Sequence, residues 1–233
     1  MPRDERKRQK KLLKKRRKQK AKRKQAHMRQ SSAQDARRAL RHAREYPISE
    51  CLVNRDWQDQ GLANILIARA QPENRIAFGM FLVDVQCLGV KNCFADADVG
   101  MPTFRDEVRA GYIKSNDAVK CPAILAHQVI YGALDYAASL GFKPHKDFAL
   151  AQHILDERSS IAPNPDLEFG RDGKPFFAAG PSDNVNKILA HLEKTVGEGN
   201  FHYLIGGPVS EDGEPYEFYD GDEYYADEED EFL

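Results

Sequence analysis

The sequence predicts a single mixed α+β domain, built on a central, mostly antiparallel sheet with packed helices and flanked by two charged, disordered tails. A long hairpin pattern, several helical patterns and two highly charged ends without apolar periodicity support this interpretation. The boundaries that follow are a basic arm at 1–45, a globular domain at 46–210 and an acidic-aromatic tail at 211–233. The middle segment has the length of one ordinary domain.

The arm is followed by a short predicted helix and then by strands. A cap-like segment predicts a helix over 36–44 that ends before Pro47. An apolar run at 62–68 and a β-rich run at 76–88, separated by turn chemistry, predict a hairpin. The second run is apolar on both faces: Phe78, Met80 and Leu82 on one, and Phe81, Val83 and Val85 on the other. Such a strand is typical of the covered centre of a sheet.

Helical patterns dominate the rest of the domain. Apolar periodicity and end signals predict helices over about 102–109, 123–140, 147–157 and 185–196. The second of these has the clearest limits, because Pro122 precedes it and Gly141 follows it. Asp172-Gly173 predicts a second hairpin over 167–177, and 201–205 predicts a last short strand.

The first 44 residues have an extreme positive charge. They carry 20 Lys and Arg against three acidic residues, a net charge of +17. Like charges at this density repel, and little apolar surface is present to stabilise a globular face. A polyanion suits this segment, because each Lys or Arg placed on a phosphate releases a condensed counterion. The predicted nucleic-acid-binding residues are Lys10, Lys11, Lys14, Lys15, Arg16, Arg17, Lys18, Lys20, Lys22, Arg23 and Lys24.

The opposite end of the chain is acidic. From Glu211 onward there are 12 acidic residues and no basic one, interleaved with six Phe and Tyr residues. This composition is typical of a segment that is disordered alone. Two uses stay open: competition with nucleic acid for the basic arm, or binding of a basic protein partner.

Three aspartates form the first candidate catalytic group. Asp84 lies near the end of the predicted central strand, and Asp96 and Asp98 follow in what is predicted to be a loop. Converging carboxylates could hold Mg²⁺ for phosphoryl chemistry, as in two-metal nucleases. The alternative is that Asp84 lies where the strand meets solvent and that the other two are ordinary loop residues.

A second candidate lies on the long predicted helix. His127, Tyr131 and Asp135 are spaced i, i+4 and i+8, which places them on one helical face. A relation between His127 and Asp135 could serve general acid–base catalysis. The alternative is a solvent-facing stripe, or a histidine satisfied by a hydrogen bond.

Three further features are less specific. The segment 87–93 could bring Gly89 and Lys91 to a phosphate, or it could be a turn with an exposed lysine. Phe201 and Tyr203 alternate in a way that suits base stacking or, equally, a half-buried strand. The four cysteines have no C-x-x-C spacing and are predicted to be small buried hydrophobic residues.

Several short segments carry a resemblance to a known family. Phe81–Val85 with Cys87–Lys91, then Leu140–His145 and Gly197–Phe201, resemble segments of a family of uncharacterised bacterial proteins. The resemblance covers about residues 46–205. It favours a bacterial cytoplasm and implies no activity, cofactor or site residue.

Three function classes stay open on the sequence. The leading one is a nucleic-acid-associated accessory protein of the cytoplasm, with RNA or the ribosome favoured over DNA, that binds phosphates through its arm. The alternatives are a metal-dependent nuclease or phosphodiesterase and an interaction protein that binds basic partners through its acidic tail. No cofactor is predicted except Mg²⁺ for the nuclease. No run of 18 apolar residues occurs, so no membrane span is predicted.

Overall fold

The computed structural model describes residues 36–206, which are built around a five-stranded antiparallel sheet. The strands are β1 (Ile48–Asn54), β2 (Leu62–Gln71), β3 (Arg75–Asp84), β4 (Gly89–Gly100) and β5 (Ala118–Lys120). Their order across the sheet is β4-β3-β2-β1-β5. Strands β1 to β4 therefore form a meander, and β5 pairs with the free side of β1.

Helices precede, interrupt and follow the sheet. They are α1 (36–41), α2 (Trp57–Gln60), α3 (Met101–Thr103, then Ala110–Asn116), α4 (Ala123–Ser139), α5 (Phe148–Ala151) and α6 (Val185–Val196). The two parts of α3 are joined by a π-helical segment, Phe104–Arg109. Two short strands, β6 (Phe176–Ala178) and β7 (His202–Leu204), pair in parallel outside the main sheet. No helix within 36–206 is long and apolar enough to cross a membrane.

Both faces of the sheet carry a hydrophobic core, which confirms the prediction of a covered central strand. On one face, Phe81 and Val83 of β3 pack in the cluster that contains Ile130 and Ala133 of α4. On the other face, Phe78 packs against Phe104 at the start of the π-helical segment, with ring centroids 5.6 Å apart. The α+β class predicted from the sequence is thus the observed one.

A third cluster attaches the C-terminal part of the domain. Ile188 and Leu192 of α6 are buried together with Phe177 of β6, Leu88 and Ala137. Asn184 caps α6, because its side chain accepts a hydrogen bond from the N–H of Lys187 at 3.2 Å.

Strand β4 is the largest difference from the sequence prediction. The segment with Asp96 and Asp98 is an edge strand and not a loop. Its alternation of apolar and polar residues is broken by register shifts opposite Ile76–Phe78 and Leu82–Val83, which hide the strand pattern. Edge strands also tolerate charged residues that a central strand excludes.

Two other predicted elements are shorter or paired differently. The helix predicted over 147–157 ends after α5 and a 3₁₀ turn, because the carbonyl groups of Ile154 and Leu155 accept hydrogen bonds from arginines. Around Asp172-Gly173 there is one antiparallel bridge, Arg171 with Lys174, and β6 pairs with β7 instead. The folded part also begins earlier than residue 46, since Leu40 and Ala43 are buried in the same cluster as Ile130 and Ala133 of α4.

Candidate functional site

Asp84 lies far from the other two aspartates of the predicted metal site. Asp84 pairs with Gly89, whereas Asp96 pairs with Phe78, six positions earlier on β3. At about 3.3 Å per residue, this register puts roughly 20 Å of strand between the two carboxylates. The predicted Mg²⁺ cluster does not form. No group of three His, Cys, Asp or Glu in the described part of the chain could hold a metal ion.

Asp84 instead stabilises the turn between β3 and β4. Its Oδ1 accepts hydrogen bonds from the backbone N–H groups of Gln86 and Cys87, both at 2.9 Å. Burial raises the pKa of the Asp84 carboxyl to about 6, against the opposing effects of backbone hydrogen bonds and of the nearby Lys91 charge. The carboxylate is buried because the turn needs an acceptor for its N–H groups.

Asp96 and Asp98 have local roles in the edge strand. Oδ1 of Asp96 accepts a hydrogen bond from the N–H of Ala97 at 2.8 Å. Asp98 has a φ of 73° beside a register shift, a backbone conformation that Asp adopts more readily than most residues. Its carboxylate pairs with Arg75. Both residues therefore belong to β4 and its bulge and not to a catalytic loop.

His127 is held as a neutral imidazole. Its Nδ1 lies 2.6 Å from the carbonyl oxygen of Ala123, and the N–H of Asp156 donates to its Nε2 at 2.8 Å. Because a backbone N–H can only donate, Nε2 is the acceptor and Nδ1 carries the proton. Burial lowers the pKa of His127. Both nitrogens are engaged in the fold, so the predicted acid–base role has no free nitrogen.

Asp135 does not act on His127. Its carboxylate pairs with Arg158, whose guanidinium carbon lies 5.5 Å from the centre of the Tyr131 ring. Tyr131 donates its hydroxyl to the carbonyl oxygen of Asp156 at 2.5 Å. The face of α4 that the sequence predicted to be catalytic therefore contacts residues 154–158 of the same domain and holds them in place.

Two arginines that the sequence analysis passed over hold the same segment. Arg69, only 2% exposed, donates to the carbonyl oxygens of Ile154 and Tyr46, each at 2.6 Å. Arg44 donates to the carbonyl oxygens of Leu155 at 2.7 Å and Gln152 at 3.1 Å. An arginine directly after the apolar run 62–68 of β2 was the available signal, because a buried charge needs partners.

Lys91 is already neutralised. It lies on β4 and pairs with Asp183, and both side chains are only 12% exposed. Neither a phosphate-binding turn nor an exposed turn lysine is present at 87–93. Cys51, Cys87 and Cys93 are free and buried, as predicted, whereas Cys121 is free and only partly buried. Burial raises the pKa of Cys51 to about 12. These thiols are poor nucleophiles at neutral pH.

Strand β7 is not the half-buried strand that one interpretation of its sequence predicted, whereas base stacking by Phe201 and Tyr203 stays a prediction. All three of its residues are exposed, including Tyr203, while Phe201 just before it is half-buried against the third cluster. The two rings lie 6.1 Å apart at an angle of 36°. The half-buried alternation expected of 201–205 is absent.

The root of the basic arm lies within the described residues. Helix α1 exposes Arg37, Arg38 and Arg41, while Leu40 is buried in the core. Arg44 then fixes the end of this segment to residues 152–155 through the hydrogen bonds given above. The eleven arm residues predicted to bind nucleic acid, from Lys10 to Lys24, lie outside the described residues.

An open groove separates α3 from the outer strands of the sheet. We call it the α3 groove; it has a volume of about 630 Å³, and its walls include Phe78, Met80, Phe94, Val108, Gly111 and Tyr112. A second cavity of about 320 Å³ shares Met80, Phe94 and Tyr112 and extends to Asn64 and Asn92. The sequence carries a signal for it, because Phe94 is the one aromatic residue of β4 and lies two positions from each of the polar residues Asn92 and Asp96.

The described residues thus contain a fixed attachment point for the basic arm and an open groove beside α3. Each side chain that was predicted to be catalytic makes a hydrogen bond or an ion pair within the domain instead. Comparison of the chain with protein-family models, with curated proteins and with solved structures found no match in any of the three.

Proposed function

We propose that this protein is a nucleic-acid-associated accessory protein that binds phosphates through residues 1–44, with RNA favoured over DNA. The observation that carries the proposal is the net charge of +17 over those residues. Counterion release makes such a segment bind polyanions tightly at low salt and without sequence preference.

The distribution of charge along the chain supports this proposal. Residues 45–206 contain 15 Lys and Arg and 21 Asp and Glu, so the domain without the arm has a net charge of −6. Positive charge is concentrated in the arm, and its last members, Arg37, Arg38 and Arg41, are exposed on α1. A polyanion bound by the arm would therefore be held beside the domain.

The anchoring of α1 also supports it. Leu40 and Ala43 are buried, and Arg44 is bonded to two carbonyl groups of the domain. Because this root is fixed, the arm leaves the domain at a defined point of its surface. The domain then acts as a scaffold that carries the arm, and no catalytic step is required of it.

The test replaces the eleven arm Lys and Arg residues between Lys10 and Lys24 with Gln in the full chain. The control replaces Arg55, Lys114 and Lys194, three cations of the domain, with Gln. Affinity for a labelled single-stranded RNA is measured as a function of salt. We expect the arm variant to lose at least about tenfold in affinity at low salt and most of the salt slope, since each lost phosphate contact on a single strand removes about 0.7 from that slope. Equal affinities for the arm variant and the control would refute the proposal.

A further inference from the structure

We propose that Cys51 and Cys121 form an oxidation site, at which a low-molecular-weight disulfide converts the two thiols into a bond between β1 and the end of β5. The two cysteines are 70 positions apart in the sequence, so only the fold brings them together. The inference goes beyond the proposed function and does not depend on it, because neither cysteine belongs to the arm.

The first support is the pairing of β1 with β5. Leu52 lies opposite Lys120 in this antiparallel ladder, so the next position brings Cys51 opposite Cys121. The N–H of Cys121 donates to the carbonyl oxygen of Cys51 at 3.1 Å, which extends the ladder to this pair. The Cα atoms of a hydrogen-bonded antiparallel pair are about 5.5 Å apart, within the range of about 4.4–6.8 Å that a disulfide spans. The backbone therefore has the spacing that the bond requires.

The second support is that both side chains lie on one face of the sheet. Directly opposite residues of an antiparallel pair project to the same face. Cys51 belongs to the cluster that contains Ile130 and Ala133 of α4, and Cys121 packs against that cluster. The two thiols are close enough that a charge on Cys121 would raise the pKa of Cys51. Strand β5 has three residues and lies at the edge of the sheet, so it can make the small approach that joins the two sulfur atoms.

The other two cysteines are placed differently and serve as controls. Cys93 lies opposite Phe81 in the ladder of β3 and β4. Cys87 is buried in the third cluster, together with Phe177 of β6. Cys87 and Cys93 belong to separate clusters, so the fold does not prepare a bond between them.

The reaction starts at Cys121, because this thiol is partly exposed whereas Cys51 is only 5% exposed. The thiolate of Cys121 attacks one sulfur of the oxidant RSSR, which gives a mixed disulfide and releases one thiol RSH after protonation. The thiolate of Cys51 then attacks Sγ of Cys121 and releases the second RSH. Two electrons and two protons thus pass from the protein to the oxidant, and one S–S bond replaces another. Burial raises the pKa of Cys121 to about 11, so the reaction is slow at neutral pH.

The bond would fix the start of α4. Cys121 is followed by Pro122, whose carbonyl oxygen accepts a hydrogen bond from the N–H of Ala126 in the first turn of α4 at 3.2 Å. Oxidation therefore ties this turn to β1. The bond also closes a loop that contains β2, β3, β4 and α3, and closing a loop of this length restricts the unfolded chain.

The experiment treats the full chain with glutathione disulfide under native conditions and follows the free thiols and the protein mass. We expect the wild type to lose two free thiols and the mass of two hydrogens, and non-reducing peptide mapping to recover Cys51 and Cys121 in one linked species. Cys121→Ser, at a partly exposed position, should prevent the bond, and Cys51→Ser should stop at a mixed disulfide of Cys121 with glutathione. Cys87→Ser and Cys93→Ser should form the bond as the wild type does.

Two further readouts separate this site from random oxidation. The initial rate should rise about tenfold per pH unit between about pH 7 and pH 9, because the thiolate fraction of Cys121 does so below its pKa. The oxidised wild type should unfold at a temperature at least about 5 °C above that of the reduced protein. Cys121→Ser should show no such increase after the same treatment.

Several results would overturn the proposal. They are four thiols that stay free at every pH, a bond between any other two cysteines, and an oxidised form that is no more stable than the reduced one. A disulfide that links two copies of the chain would also overturn it and would assign Cys121 to an interface. None of these measurements involves RNA, so this inference and the proposed function fail or hold separately.

Discussion

Arg69 of β2, the middle strand of the sheet, forms an ion pair with Asp156 of the segment 154–158, which lies against α4. Nη2 of Arg69 lies 2.5 Å from Oδ1 of Asp156. Arg69 is almost fully buried, whereas Asp156 is 41% exposed at its side chain. The same aspartate gives its backbone N–H to His127. One side chain of β2 and one imidazole of α4 thus fix a segment that has no regular secondary structure.

Replacing this arginine should destabilise the fold. Arg69→Met leaves the carbonyl oxygens of Ile154 and Tyr46 buried without their donor, and we expect a loss of about 3 kcal/mol in the free energy of unfolding. Arg55→Met is the matched control, because Arg55 forms an exposed pair with Asp117, which is expected to contribute less than about 1 kcal/mol. Urea unfolding of both variants measures the difference. Equal losses would mean that the buried hydrogen bonds of Arg69 add nothing.

Asp84→Asn should increase stability most at high pH. The pKa of Asp84 is about 6 in the folded state against 3.8 for the ordinary group, so the folded state holds the proton more tightly. This tighter proton binding stabilises the folded state fully below pH 3.8, and the stabilisation is lost as the pH rises through about 6. The asparagine side chain does not titrate, so it has no such loss, and its carbonyl oxygen keeps an acceptor for the turn. We expect the variant to gain about 1–2 kcal/mol relative to wild type between about pH 5 and pH 8, as measured by urea unfolding at each pH.

His127 should give the opposite pH dependence. Burial lowers its pKa from 6.5, so the folded state favours the neutral imidazole. Its contribution to stability is present above pH 6.5 and is lost as the pH falls below that value, because the unfolded chain takes up the proton more readily. His127→Gln should be less stable than wild type at about pH 8, and this deficit should shrink towards about pH 5. Thermal unfolding at the two pH values tests this, and a deficit that grows on acidification would show a charged His127 in the folded state.

Two glycines with similar backbone conformations should respond differently to alanine. Gly89 and Gly173 have φ values of 68° and 75°. A Cβ at Gly89 would lie 2.8 Å from Cβ of Ala137, whereas at Gly173 it would meet no atom within 4 Å. Both variants carry backbone strain, and Gly89→Ala adds a clash with α4. We expect Gly89→Ala to lose about 1–3 kcal/mol more than Gly173→Ala. Equal losses would show that α4 moves away freely.

The sequence patterns predicted an element correctly where a single apolar periodicity runs through the whole element. The apolar alternation on both sides of β3 predicted a covered strand, and Pro122 with Gly141 marked α4 to within one residue. Strand β4 escaped detection because two register shifts break its alternation. The site was harder to predict. Asp84 and Asp96 are only 12 positions apart in sequence, but the antiparallel turn places Asp96 opposite Phe78, six positions along β3 from Asp84.

Roles that depend on long-range contacts had no local signature. His127 has the spacing of a catalytic residue on α4, yet its partner Asp156 is 29 positions away and contributes a backbone N–H. A backbone group is the same for every residue type, so no sequence pattern could mark it. The α3 groove depends in the same way on how far α3 extends over the sheet.

The meander order of β1 to β4 has a consequence for the order in which the chain folds. Each of these strands pairs with its neighbour in sequence, so four of the five strands can close before any residue after Gly100 is required. Pairing between strands that are close in sequence lowers the entropic cost of loop closure and favours fast folding. On a ribosome, the meander could assemble while α4 is still inside the exit tunnel. Until α4 emerges, Phe81 and Val83 would remain open to solvent, and this is the stage at which the nascent chain is most prone to aggregation.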